Sequence, residues 1–446
     1  MVSVITNFSR ITILSYVIIF TLIDCVLLFE PKLNEGLNSI LVTIQAVMIV
    51  LFLVNGSVVL YFSAEEPRII LLLVLELLFL LIFALVINKI TVPVSKGLIN
   101  NVLFLISMSL ITLERLNLTR AARQFIFLIA GVMLSILVVY ILRKIPQINR
   151  LTFVFGGTGI VLLLLVGLMG VVEYGAKLSL SFGSVSIQPS EFVKLSYLFF
   201  ISGCIVTFKD FKGFLFAGIG AALHILVLIY SKDLGTAFIF LVTYIFLIFI
   251  AYKNYIVLAI ELFLGIAGGF IAYNMFPHIQ RRFVAWSDPL SVVEDQGYQI
   301  SQSLFAVGTG SWLGSGLNNG LPNKIPVVVK DFIFAAISEE MGAIVAMCLI
   351  IIYMCTFIMI FNVSFNCTYS FYMLVTSGFA IIFAIQTILN IGGVIKFIPS
   401  TGVTLPLISY GGSSLVSLLI GIFITECSED LWHLPSKRKR NYINKR

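Results

Sequence analysis

The sequence predicts an all-α membrane protein with many spanning helices. Of its 446 residues, 60% are hydrophobic and only 11% are charged, and the mean hydropathy is +1.10. A water-soluble globular protein needs far more polar surface than this. The run from Ile69 to Ile87 is apolar except for Glu76 and is long enough to cross the hydrocarbon core of a bilayer. Because backbone polar groups in lipid must be satisfied within the protein, we expect such runs to be helices.

About thirteen such runs follow one another, each near the ~20 residues that a spanning helix needs. The first run is too long for the apolar part of a cleavable signal peptide and lacks a small-residue cleavage site, so we expect it to remain as a membrane anchor. The runs lie near residues 11–29, 39–62, 69–87, 100–113, 125–142, 151–173, 191–207, 213–230, 235–251, 255–273, 333–361, 371–395 and 405–425.

The net charge of +7 does not indicate a nucleic-acid-binding protein. The basic residues lie in short loops and in the tail 435–446, which carries six positive charges. By the positive-inside rule this tail predicts a cytoplasmic C-terminus, with contact to anionic lipid head groups as an alternative role. Counting helices back from the tail places residues 274–331 on the outer face. Arg115, Arg120 and Arg123 then also fall outside, against the rule.

The sequence does not indicate a metal or nucleotide site. The six cysteines form no C-x-x-C pair, and the three histidines are too scattered for a metal cluster. His224 lies in a predicted helix, and we expect a hydrogen-bonded core residue. The glycine run 308–314 has the wrong spacing for a dinucleotide fingerprint, and its glycines are better suited to tight turns or close ligand approach.

One long polar segment, residues 274–331, interrupts the apolar sequence. A long loop that does not have the composition of a linker is usually functional, so we expect the chemistry of this protein here, at a membrane surface. The segment contains four basic and four acidic residues, which are Arg281, Arg282, Lys324, Lys330, Asp288, Glu294, Asp295 and Asp331.

Two further polar segments begin predicted helices. Glu191 and Lys194 are three residues apart, so they share a helix face and can pair. Their pair either holds helices together or forms the wall of a polar cavity, and both readings stay open. Asp233 precedes a helix that starts at Leu234, and its side chain is suited to cap that helix.

A last polar segment runs from Asn390 to Ser414. Its two prolines and several glycines between apolar helices predict a broken or re-entrant stretch. Irregular backbone at membrane depth is tolerated only where it is buried in protein or lines a watery cavity. We therefore expect at least three polar segments to converge on one cavity that faces the outer loop.

Several of these residues occur in the same order in one known family. The chain resembles the SEDS family (shape, elongation, division and sporulation), the RodA/FtsW-type bacterial peptidoglycan glycosyltransferases, over about residues 98–430. Each motif is modest alone, but six in the same order are specific. The motifs are Gln188-Pro-Ser-Glu-Phe-Val-Lys194, Asp233-Leu-Gly-Thr236, Arg282 with Asp288-Pro289, Gly297-Tyr298 with Gln302-Ser303, Asp331-Phe-Ile-Phe-Ala335 with Glu339-Glu340-x-Gly342, and Thr404-Leu-Pro-Leu-Ile-Ser-Tyr-Gly-Gly-Ser-Ser414.

The resemblance implies a ten-helix core over residues 97–431, with a large outer loop, 274–332, between its seventh and eighth helices. Residues 1–96 would add about three N-terminal membrane helices and place the N-terminus outside, and 432–446 would form the cytoplasmic tail. The chain departs from the family at Ser231-Lys232, where members often have Gln-Pro, and at Val329-Lys330, where many have a polar or His-Thr pair. These departures leave the subfamily open.

The family polymerises lipid II, the undecaprenyl-pyrophosphate-linked disaccharide-peptide, with inversion of configuration and release of undecaprenyl pyrophosphate. A single inverting displacement needs one base, and a pyrophosphate leaving group needs positive charge. The resemblance assigns the base to Asp331, with Arg282, Lys324 and Lys330 as candidate phosphate ligands. Further candidate cavity residues are Glu191, Lys194, Asp233, Gln302 and Ser409.

Several alternatives remain open. Asp331 could instead cap a helix that starts at Phe332. A divalent cation, magnesium or manganese, could share the phosphate-binding task, although no ligand cluster indicates one. The implied partner is a class B penicillin-binding protein, a transpeptidase. A flippase for lipid-linked precursors or a non-catalytic scaffold would also use many membrane helices, and a role in elongation, division or sporulation is not distinguished.

Overall fold

The protein is almost entirely helical. The computed structural model describes residues 2–29, 34–87, 95–145, 147–173, 176–182, 185–208 and 210–428, and the predicted basic tail at 432–446 lies outside these residues. The described part contains sixteen α-helices and three short strands. Twelve of the helices are long and apolar enough to cross a membrane, so the prediction of a multi-pass helical membrane protein is confirmed.

Three helices precede the predicted core, as expected. They are α1 (Val2–Leu27), α2 (Glu35–Ala64) and α3 (Pro67–Ile87). Helix α1 packs on the helix Ala343–Asn366, and α2 packs on the first helix of the core, Lys96–Leu116, which is almost wholly buried. The N-terminal helices are therefore packed into the core and do not form a separate unit.

The core has ten helices, arranged as seven and then three around a long loop. The seven are α4 (Lys96–Leu116), α5 (Leu118–Lys144), α6 (Thr152–Met169), α7 (Pro189–Phe208), α8 (Asp210–Tyr230), α9 (Leu234–Tyr252) and α10 (Tyr255–Met275). The three are α14 (Ala343–Asn366), α15 (Ser370–Val394) and α16 (Gly412–Glu426), the last of which is shorter than the others. This arrangement agrees with the predicted loop between the seventh and eighth core helices.

The loop between α10 and α14 is itself folded. It contains the helices α11 (Pro277–Ser287), α12 (Tyr298–Gly310) and α13 (Ile333–Met341) and a 3₁₀ turn at Pro322–Lys324. Helix α11 begins with a proline at its first position, where the missing N–H is not needed. Side chains that this loop carries are thus held on short rigid elements.

A small antiparallel sheet was not predicted. The expected helix 151–173 ends at Met169, and the chain then forms β1 (Val171–Glu173), β2 (Ala176–Phe182) and β3 (Val185–Ile187) in the order β1-β2-β3. Residues 178–182 alternate between apolar and polar side chains, which is the pattern of a strand with one buried face. Because a long apolar run precedes these residues, the sequence does not clearly show where the helical repeat ends and the two-residue repeat of the strands begins.

Two predicted spans are broken by backbone geometry. The span 333–361 divides at Gly342, whose φ is +94°, and a Cβ there would overlap the backbone nitrogen of Gly314. The span 405–425 becomes helical only at Gly412, and the backbone before it is irregular, as the prediction of a broken stretch between residues 390 and 414 requires. Both breaks permit close backbone packing that a continuous helix would prevent.

One of the three arginines that fall outside against the positive-inside rule, Arg115, has a specific partner. Arg115, at the end of α4, donates from Nε to Glu340 Oε1 at 2.9 Å and from Nη2 to the Gly320 carbonyl at 3.2 Å. Glu339 Oε1 accepts from the Leu321 backbone N–H at 2.8 Å. These bonds fasten the segment around Gly320 to the end of α4 and to the end of α13.

Candidate functional site

A polar cavity of about 270 Å³ lies where the loop meets the membrane helices. It is lined by the start of α7, the turn between α8 and α9, helix α11, the end of α15 and the irregular segment that follows α15. The predicted convergence of polar segments on one cavity therefore agrees with the structure. Charged and amide side chains on its wall are Gln188, Glu191, Lys194, Lys232, Asp233, Arg281, Arg282, Gln296, Gln299, Asp331 and Asn390.

Asp331 lies on the wall of this cavity, directly before α13. The helix begins at Ile333, its N-cap residue is Phe332, and the cap position makes no side-chain hydrogen bond. The alternative that Asp331 caps a helix starting at Phe332 is therefore wrong. Burial raises the pKa of Asp331 to about 6, against the opposing effect of the Lys330 and Arg282 charges. A carboxylate with such a pKa is a better proton acceptor than a solvated one.

Arg282 reaches the same place from helix α11. Its Nη1 donates to the Ser400 carbonyl at 2.9 Å, which ties α11 to the irregular segment after α15. Burial lowers the pKa of Arg282, while the carboxylates of Asp331 and Asp233 oppose this effect. An arginine stays protonated in proteins, so Arg282 supplies a fixed positive charge next to Asp331.

Gly402 lies on the cavity wall next to Arg282 and Asp331. Its φ is +75°, and a Cβ placed on it would lie 3.5 Å from Nη2 of Arg282 and 3.8 Å from Oδ2 of Asp331. A side chain at this position would therefore contact both charged groups. Glycine is favoured here by the left-handed backbone conformation, which residues with a side chain rarely adopt.

Glu191 and Lys194 form a buried ion pair on the cavity wall. Lys194 Nζ donates to Glu191 Oε1 at 2.8 Å and to Gln386 Oε1 at 2.9 Å. Ser417 Oγ donates weakly to Glu191 Oε2 at 3.5 Å. The pair therefore lines the cavity and also joins α7 to α15, so both readings that the sequence left open apply.

Asp233 has the capping role that the sequence predicts. Its Oδ1 accepts from the Thr236 backbone N–H at 3.2 Å, at the first turn of α9. The same carboxylate lines the cavity, and its charge acts on Arg282. Asp233 thus contributes to the electrostatics of the site as well as to the start of a helix.

Three of the predicted cavity residues do not line the cavity. Ser409 is buried, donates from Oγ to the Lys330 carbonyl and accepts from the Leu405 backbone N–H at 2.8 Å, so it positions the backbone before Asp331. The Lys330 side chain is outside the wall, but its charge acts on Asp331. Gln302 lies on α12 one turn beyond Gln299, which does line the cavity. The loop candidate Lys324 is exposed and is not among the residues that line the cavity.

Asn390, the first residue of the polar segment 390–414, also lines the cavity. Its Nδ2 donates to the Asp331 carbonyl at 2.9 Å and to the Val403 carbonyl at 2.7 Å. One buried amide therefore fixes the backbone of Asp331 relative to the turn that contains Gly402. The sequence gives no signal for Gln386 and Gln299, because each is a single polar residue within a helix.

The described residues offer few ligands for a metal ion. Among them, no group of three or more His, Cys, Asp or Glu side chains could hold one. Asp331 and Asp233 share the cavity, but the Arg282 cation lies close to both carboxylates. A magnesium ion needs only one or two carboxylates when substrate phosphates complete its coordination, so the divalent cation stays a prediction.

Comparisons with known proteins identify relatives for most of the chain. A model of the FtsW/RodA/SpoVE family, described as cell cycle protein, matches residues 88–428. The peptidoglycan glycosyltransferase RodA of Mycobacterium leprae is 34% identical over 317 residues, which are 67% of this chain and 68% of that protein. A probable peptidoglycan glycosyltransferase FtsW of Wigglesworthia glossinidia brevipalpis is 33% identical over 295 residues, which are 64% of this chain and 76% of that protein.

Solved structures share the fold. A chain from a peptidoglycan synthase complex, described as coordinating polymerization and crosslinking, superposes with a TM-score of 0.64 at 22% identity and covers 76% of this chain and 98% of that one. The rod shape determining protein RodA of Thermus thermophilus gives a TM-score of 0.57 at 21% identity, covering 78% of this chain and all of that one. At these identities the likeness supports the architecture alone.

Proposed function

The chain belongs to the FtsW/RodA/SpoVE family of cell cycle proteins, and on that premise we propose that it polymerises lipid II with Asp331 as the general base. It is a peptidoglycan glycosyltransferase of the multi-pass membrane type. The observation that carries the assignment of Asp331 is its place on the wall of a polar cavity, with a raised pKa and a fixed cation beside it.

In this mechanism the 4-hydroxyl of one lipid II attacks the anomeric carbon of the lipid-linked growing strand. Asp331 accepts the hydroxyl proton as the new glycosidic bond forms, and the bond from the anomeric carbon to the pyrophosphate oxygen breaks. The configuration at that carbon inverts from α to β. Because pyrophosphate is a good leaving group, no second carboxylic acid is required on the other side.

Positive charge stabilises the pyrophosphate as it leaves. Arg282 is suited to this task because it is half-buried, permanently charged and adjacent to Asp331. The charge of Lys330 reinforces it from outside the wall. A divalent cation would be held by the substrate phosphates and a wall carboxylate other than the base, and it would supply further charge neutralisation.

The orientation that fits this chemistry has the cavity on the outer face and the C-terminus in the cytoplasm. The basic tail 435–446 supports this orientation through the positive-inside rule. We further propose a class B penicillin-binding protein as partner, since a solved relative belongs to a synthase complex that couples polymerization to crosslinking. Co-purification from native membranes that recovers no such transpeptidase would count against this partner.

The test is glycan-strand formation by the purified protein from fluorescent lipid II, resolved on a gel. We expect the wild type to make strands and Asp331→Asn to make none. Asp295→Asn is a matched control, because it is the same substitution on an exposed aspartate of the same loop that does not itself line the cavity. If no strands form and labelled lipid II moves between leaflets of a vesicle, the protein is a flippase. If neither occurs, it is a scaffold.

A further inference from the structure

The first helix of the chain contacts the loop that carries Asp331. Helix α1 lies outside residues 88–428, which match the family, yet it packs on α13 and α14. Near its start, the half-buried Arg10 donates from Nε to the Leu313 carbonyl at 2.9 Å. Within the described ranges no carboxylate pairs with Arg10. The N-terminal part of the chain therefore reaches the loop directly, through a charged side chain.

Leu313 belongs to a segment, residues 311–316, that wraps around the junction of α13 and α14. Backbone hydrogen bonds of 2.9 to 3.2 Å join this segment to the end of α13 and to the start of α14. Their donors and acceptors are Ser315 and Glu339, Gly316 and Glu340, Ala343 and Ser311, and Ile344 and Trp312. Gly314 lies so close that a Cβ on it would overlap the Glu340 carbonyl. The segment and the end of α13 are therefore rigidly joined.

The same segment connects two elements of the cavity wall. Helix α12 ends where the segment begins, and the first turn of α12 contributes Gln299 to the wall. Helix α13, at the other side, starts two residues after Asp331. The two helices pack closely, since a Cβ on Gly310 would overlap the Ser338 carbonyl. A displacement of the segment would therefore shift both helices and change the position of Asp331 relative to the rest of the wall.

Helix α1 can hold the segment because its other end is fixed in the core. Asn101 Nδ2, on α4, donates to Asp24 Oδ2 on α1 at 3.0 Å and to Thr356 Oγ1 on α14 at 3.2 Å. All three side chains are fully buried, and breaking such contacts is costly because the separated groups find no water. Asp24 and Arg10 lie about 21 Å apart along α1. The helix is thus a rigid element that extends from a buried anchor to the loop.

We propose that Arg10 is a positioning residue for strand formation. By holding Leu313, it keeps the segment 311–316 and the end of α13 in the arrangement that places Asp331 on the cavity wall. This inference rests on the proposed function. It assigns a task to the N-terminal helices, which precede the family core: α1 supports the loop, and α2 packs both on α1 and on the core helix α4.

The kinetic test compares full-length wild type, Arg10→Gln and Arg10→Lys in strand formation from lipid II. For Arg10→Gln we expect kcat to fall about tenfold, since small displacements of a catalytic group are costly in rate. The KM for lipid II should stay within about twofold of the wild type, because Arg10 does not line the cavity. Arg10→Lys keeps a cationic donor and should recover most of the lost kcat. A purely stabilising role would instead lower the melting temperature and leave kcat per folded molecule unchanged.

A second measurement does not depend on activity. Hydrogen exchange at the amides of Ser315 and Gly316 reports their bonds to α13, and it should be faster in Arg10→Gln than in the wild type. Arg68→Gln is a matched control. Arg68 is also an arginine near the start of an N-terminal helix, but its Nε pairs with the neighbouring Glu66 at 2.6 Å. This control should match the wild type in kcat and in exchange.

An unchanged kcat in Arg10→Gln would overturn the inference, as would exchange that matches the wild type or an equal loss of kcat in Arg68→Gln. A wild-type protein that makes no strands would refute the proposed function. In that case, faster exchange in Arg10→Gln than in Arg68→Gln would still support the contact between α1 and the loop, and equal exchange would refute the contact as well.

Discussion

Replacing Asp331 by asparagine should abolish catalysis and at the same time stabilise the folded protein. The two effects have one cause, because a carboxylate is held in a place that disfavours its charge. Its pKa is raised from 3.8 to about 6, so the folded protein binds this proton more tightly than the unfolded chain does. Removing the charge removes that penalty, while removing the base stops proton transfer.

The size of the stabilisation follows from the two pKa values. The difference between 3.8 and about 6 corresponds to about 3 kcal/mol of folding free energy when the group is ionised in both states. The sign follows from linkage. Below pH 3.8 the group is protonated in both states and costs nothing; stability then falls as the pH rises to about 6 and stays lower above it.

The assay is thermal melting of purified wild type and Asp331→Asn in detergent between pH 4 and 8, beside strand formation from lipid II. At pH 7 and above the variant should melt a few degrees higher than the wild type, and the difference should shrink toward pH 4. Its rate should fall about 100- to 10,000-fold, as is usual when a general base is lost. A variant that melts lower at every pH would make Asp331 a structural residue, and strand formation within a few fold of wild type would exclude it as the base.

Three further outcomes are expected. Strand formation should increase with pH through about 6, because only ionised Asp331 accepts a proton; a flat profile of initial rates from pH 5 to 8 would contradict this. Glu191→Ala should lower activity and melting temperature more than the double variant Glu191→Ala/Lys194→Ala does. The reason is that a buried charge left without its partner lowers the free energy of unfolding by about 3–5 kcal/mol. If Glu191→Ala and Lys194→Ala were each as active as the wild type, the pairing would be refuted. Arg115→Ala should remove the bonds that hold the loop around Gly320 and Glu340, and kcat at saturating lipid II should fall, with partial recovery in Arg115→Lys. The measurement is hydrogen exchange at residues 311–321. Exchange in Arg115→Ala that matches the wild type would show that the loop does not depend on Arg115.

Much of the fold was predictable because it depends on local properties of the chain. The length of each apolar run decides whether a helix can span a bilayer, and the i,i+3 spacing of Glu191 and Lys194 already implies their pair. The capping role of Asp233 follows from its position before Leu234. The strands after Met169 were missed because a period-two pattern follows directly on a long apolar run.

Sequence proximity was a poor guide inside the site. Lys330 adjoins Asp331 in the chain, yet its side chain is outside the cavity wall. Ser409 stands in a family motif, but it supports the backbone and does not contact the cavity. The cap interpretation of Asp331 failed by a single residue, because α13 starts at Ile333.

By itself, the sequence determined a multi-pass helical membrane protein, its family, and a set of polar segments in which the chemistry must lie. Only the tertiary structure decided which of those polar groups face each other. Gln386 meets Lys194 across 192 residues, and Asn390 joins the Asp331 carbonyl to the Gly402 turn. The reason is physical: helix periodicity and run length act over a few residues, whereas contacts between distant segments are set by how whole helices pack.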